Sequence, residues 1–95
     1  MKLKISAPSF LKNHYLVVRS DGVHYCESMG LSSVRRFRFT DIFCVLLGAD
    51  HTLSFQVGQE VFSIPTNPRS AKHQTVIATL VQEIQRAAAG RGSNG

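Results

Sequence analysis

Residues 51–68 read HTLSFQVGQEVFSIPTNP, two alternating runs joined by a tight turn and closed by prolines. Leu53, Phe55 and Val57 fall on one side of the first run and Thr52, Ser54 and Gln56 on the other, the two-residue period of a strand with one buried face. Gly58-Gln59 suits a two-residue hairpin loop of the II′ kind, with Gly first. Glu60 to Ile64 returns as the partner strand, with Phe62 and Ile64 inward. After Pro65 the period changes to 3.6: Val76, Ile77, Leu80, Val81, Ile84 and Ala88 share one stripe, while Lys72, Gln74, Gln82, Glu83 and Arg86 lie largely elsewhere. Asn67 followed by Pro68 predicts a helix start near residue 67, because Asn caps free N–H groups and Pro loses no bond in the first turn. Gly90 is the expected stop, and residues 90–95 are expected to form a disordered polar tail.

Upstream, short runs recur at the spacing of successive strands in a sheet. His14 to Arg19 places Leu16 and Val18 on one face and Tyr15 and Val17 on the other, so both faces are expected to be at least partly covered. Ser20-Asp21-Gly22 is a turn, and Val23 to Glu27 follows with Val23 and Tyr25 opposite His24 and Cys26. Beyond the Ser28 to Ser33 connection, Val34 to Phe39 alternates with Phe37 and Phe39 inward and Arg36 and Arg38 outward. Thr40-Asp41 breaks it. Ile42 to Leu47 is wholly apolar and is expected to lie centrally or against another layer. Five of the six phenylalanines read as core, Phe10 being the exception.

The chain has 95 residues, 43% hydrophobic and 18% charged, which suits one globular domain over residues 1–89. The apolar runs fall far short of the ~20 residues that span a bilayer. No apolar leader core develops before Pro8, so the expected location is the cytoplasm. Cys26 and Cys44 sit in apolar runs rather than in a spaced disulfide framework. His24, Cys26 and Cys44 offer nitrogen and sulfur but no fourth zinc ligand, so neither metal nor cofactor is expected. No phosphate loop, nucleophile elbow or dinucleotide fingerprint occurs, and no two acids are placed as an acid–base pair; the expectation is a protein that is not an enzyme.

The run YLVVRSDGVHY followed by RRFRFTDIFCVLLG, with Gly22, Asp41 and Ile42 at its joints, resembles the small bacterial pleckstrin-homology and GRAM-type domains. The resemblance covers about residues 14 to 88. It implies a mainly β fold with one C-terminal helix: a curled antiparallel barrel of six or seven strands, the helix plugging one end and Lys2 to Ser6 the candidate seventh strand. Pleckstrin-homology domains that bind inositol phosphates carry a basic residue, one spacer and Arg on a strand, and the Arg36-Phe37-Arg38 run matches that part.

The formal charge of +5 favours anionic partners. Arg35, Arg36 and Arg38 are the one basic cluster in the sequence and form the expected binding residues; Arg36 and Arg38 share a strand face at a spacing that suits neighbouring carboxylates or phosphates. Phe37 and Phe39 point away from them, against base stacking. The functional expectation is therefore a non-catalytic binding module with a mildly basic surface and a protein partner. Anionic lipid headgroups are the alternative and nucleic acid the weaker one, with homo-oligomerisation left open.

Overall fold

The computed structural model describes residues 2–7, 13–28 and 34–92. Its strands are β1 (Lys2–Ser6), β2 (Asn13–Arg19), β3 (Gly22–Ser28), β4 (Val34–Arg38), β5 (Ile42–Leu47), β6 (Thr52–Val57) and β7 (Glu60–Pro65), followed by α1 (Ala71–Gly92). They form two antiparallel sheets in chain order, sheet I of β1-β2-β3-β4 and sheet II of β5-β6-β7. Lys2–Ser6 is thus a seventh strand, paired with β2 from Lys2↔Arg19 to Ser6↔Tyr15. The expected barrel is not closed: among the described residues no ladder joins sheet I to sheet II.

The core lies between the sheets and under the helix. Ile5, Leu16, Val18, Val23 and Phe37 from sheet I meet Ile42, Leu53, Phe55 and Ile64 from sheet II, and Val76, Leu80 and Ile84 cover them from α1. The inward residues follow the alternation of their strands. Tyr25, Phe37, Phe55 and Phe62 pack as one aromatic group, with ring centroids 5.0–5.9 Å apart. Phe39 leaves β4 and enters a short 3₁₀ turn, Phe39–Asp41, but stays buried. Asp41 closes that turn by accepting the Arg38 N–H at 2.9 Å.

Two glycines are demanded by geometry. Gly22 lies against β4 so closely that a Cβ would overlap the Phe37 carbonyl oxygen. Gly58 has φ 61° while Gln59 does not share a positive φ, as a II′ turn requires.

Several expectations need correction. The helix begins at Ala71, not near Asn67: Ser70 Oγ accepts the His73 N–H at 3.2 Å, while Asn67 Oδ1 is used in its own turn by the Arg69 N–H at 2.9 Å. The helix also runs through Gly90 to Gly92, so the expected tail boundary at residue 90 is too early. Residues 93–95, Phe10 and the 29–33 connection lie outside the described residues. Ala87 packs against the core, whereas Ala88 is exposed. The largest correction concerns β5, which is an edge strand of sheet II and not a central one; Phe43 and Leu46 are each 65% exposed.

Candidate functional site

Strand parity and register assemble a basic surface on the outer face of sheet I. Lys2 and Lys4 lie on that face of β1, Tyr15, Val17 and Arg19 on β2, His24 and Cys26 on β3, and Val34, Arg36 and Arg38 on β4, aligned by Lys2↔Arg19, Lys4↔Val17, Val17↔His24 and His24↔Arg36. Lys2, Lys4, Tyr15, Val17, Arg19, His24, Val34 and Arg36 line one shallow groove of about 300 Å³. No described strand position on this face carries a carboxylate. Tyr15 is the aromatic centre: the Lys4 ammonium sits 4.6 Å from its ring centroid. Partial burial first, and Cys26 next, hold the Tyr15 phenol above its usual pKa, while Arg36 opposes them. Arg36 lines the same groove as Tyr15.

The fold keeps Arg36 and Arg38 on one face and turns Arg35 away from them. Only Arg36 belongs to the groove. Arg38 projects from the same face and pairs with Asp41, Nε to Oδ2 3.6 Å, beside a second hollow that Asp21, His24 and Arg36 also line. Arg35 has the opposite parity: it turns to sheet II, meets Glu60 at 3.2 Å and stacks over Phe37 and Phe62, with its guanidinium carbon 5.4 and 5.3 Å from the centroids. Lys2, Lys4, Arg19 and His24, which sequence reasoning did not single out as binding residues, join Arg36 in the groove. The signal was present in part, since Lys2 and Lys4 alternate with Leu3 and Ile5, but their meeting with Arg19 and Arg36 depends on register across three ladders.

A second cluster closes the gap between the sheets. The Tyr25 hydroxyl donates to the Ser63 carbonyl on β7 at 2.9 Å, and His14 Nε2 lies 2.9 Å from the same oxygen and 3.1 Å from the Tyr25 hydroxyl. Glu27 approaches His14 Nε2 at 3.4 Å. With Arg35, Val61 and Phe62, the Tyr25, Glu27 and Ser63 side of this seam lines a cavity of about 490 Å³. Burial, with help from the Glu27 charge, pushes the Tyr25 phenol up to about 12. The Tyr25 hydroxyl and His14 both reach the Ser63 carbonyl, so the evident task of the seam is to fasten β2 and β3 to β7 where backbone pairing does not.

Cys26 is buried and Cys44 exposed on the other sheet, and no three His, Cys, Asp or Glu side chains gather as a metal ion needs among the described residues. No described helix is long and apolar enough to cross a membrane. The chain matches no family model, no curated protein and no solved structure.

Proposed function

We propose that this chain is a non-catalytic binding module of the pleckstrin-homology-like kind, and that the outer face of sheet I docks an acidic segment of a protein partner. The observation that carries this reading is the meeting of Lys2, Lys4, Arg19 and Arg36 on a face without a strand carboxylate. The four cations spread over three strands rather than converging on one point, which suits several separate carboxylates better than a single headgroup phosphate. One aromatic, Tyr15, already covered by Lys4, is a poor platform for stacked bases. Seven antiparallel strands followed by one terminal helix agree with the element order that the resemblance to pleckstrin-homology domains implies, which supports this reading.

The test uses labelled poly-glutamate as the acidic probe, with vesicles containing phosphatidylserine and a single-stranded oligonucleotide as rivals. Poly-glutamate should bind best at low salt and weaken as salt screens the face. Arg19→Gln with Arg36→Gln should weaken it about tenfold, roughly 1.4 kcal/mol, while Arg35→Gln, whose charge is held by Glu60, should change little. Tighter binding to vesicles or oligonucleotide, or indifference to the double substitution, overturns the proposal.

A further inference from the structure

The chain has four histidines, and the fold puts one of them on the basic face. His14 turns into the seam between the sheets, His51 lies between β5 and β6, and His73 accepts the Asn67 N–H at the start of α1. His24 projects from the outer face of sheet I, because it shares strand parity with Cys26 and not with Val23 and Tyr25. It is half-buried and, with Arg36, lines both the groove and the adjoining hollow, so the two form the ridge between them. Across the ladders its direct partners are Val17 and Arg36. Tyr15 and Arg19 on β2, and Val34 and Arg38 on β4, are its diagonal neighbours, roughly 7–8 Å away. Lys2 and Lys4 of β1 line the groove beyond β2, and Cys26 is the next residue on its own strand face. The carboxylates near it, Asp21 and Asp41, belong to the hollow, and Asp41 is engaged by Arg38.

We infer that His24 makes the docking of an acidic segment proton-linked: its imidazole takes up a proton as the partner's carboxylates settle on the face, which therefore binds more tightly as pH falls from 8 to 6. The inference rests on the proposed function and adds its regulation. Lysine and arginine keep their charge across this range, whereas an imidazole gains or loses its own between pH 5 and 8. The Tyr15 phenol, held above its usual value, stays neutral there. His24 is thus the variable cation of the face. With no carboxylate at the described strand positions, a protonated His24 has three arginines around it, Arg19, Arg36 and Arg38, until an acidic partner arrives. A carboxylate placed against it favours the charged form. The bound state then holds the proton more firmly than the free state, so binding strengthens on the acid side and weakens as pH rises. Glutamate side chains stay ionised down to pH 6, so the probe's own titration does not supply the effect.

Two measurements on the full chain test this. Binding of labelled poly-glutamate at fixed low salt should strengthen about threefold or more between pH 8 and pH 6, and His24→Gln should remove most of that gain. His24→Lys, charged at both values, should show the tighter binding already at pH 8; circular dichroism checks that both variants remain folded. In the wild-type chain, NMR of the imidazole protons follows each histidine through a pH series with and without saturating poly-glutamate. The His24 midpoint should move up by roughly half a pH unit or more, the equivalent of that threefold, while those of His14, His51 and His73 stay where they are. An unmoved His24 midpoint overturns the inference even where poly-glutamate binds, and so does a pH gain that survives in His24→Gln. Poly-glutamate that binds at neither pH overturns the docking face itself, and the inference falls with it.

Discussion

Replacing Tyr25 with Phe tests how the two sheets are held together. The ring stays, and with it the contacts to Phe55 and Phe62 at centroid distances of 5.6 and 5.2 Å. What goes is the hydroxyl, and therefore the bond to the Ser63 carbonyl. His14 Nε2 remains 2.9 Å from that carbonyl, so the oxygen is not orphaned and the loss is that of one ordinary hydrogen bond, about 1 kcal/mol. In a domain of this size that lowers Tm by roughly 4–8 °C. Urea unfolding followed by circular dichroism at neutral pH should show a lower midpoint with an unchanged slope. The pH dependence gives a second reading. The folded-state pKa of Tyr25 is raised to about 12 from the ordinary phenol value of 10.0, so the folded state prefers the neutral phenol; that stability is whole below pH 10 and is lost as pH rises through about 12. Tyr25→Phe cannot lose it. The gap between wild type and variant should therefore be constant below pH 10 and shrink above it. An unchanged midpoint at neutral pH, or a gap that does not narrow above pH 10, refutes the seam.

Three further outcomes are expected. Leu80→Asp buries an unpartnered carboxylate at a fully buried helix position and should cost several kcal/mol, read as loss of the cooperative thermal transition; near-normal melting would mean that the helix stripe faces solvent. Gly22→Ala drives a methyl group into the Phe37 carbonyl and should cost at least about 1–3 kcal/mol, whereas Gly58→Ala, which meets no neighbour, pays only for its positive φ; equal losses in chemical denaturation would contradict the close approach of β3 to β4. Ser70→Ala removes the helix cap and should cost ~1 kcal/mol, while Asn67→Ala should cost less, and the reverse order would restore the helix start to Asn67.

What the sequence determined by itself is what short-range chemistry dictates. Alternation in residues 52–64, the Gly58-Gln59 turn and the stripe of Val76, Leu80 and Ile84 each depend on neighbours a few positions away, and the inward residues they named are buried or half-buried in the structure. The helix start was misplaced because Asn67 and Ser70 are equally good caps in sequence; the choice fell to Ser70 once Asn67 had spent its side chain on the Arg69 N–H. Tertiary structure alone decided the rest. An apolar run such as Ile42 to Leu47 has the same sequence whether or not another strand lies beside it, and only the strand order made it an edge. Likewise Arg35, Arg36 and Arg38 are neighbours in the chain, yet parity turns Arg35 to Glu60 on sheet II while Arg36 and Arg38 share the outer face and one hollow of sheet I. The basic face exists because three ladders bring Lys2, Lys4, Arg19 and Arg36 together across a chain separation that no local period records.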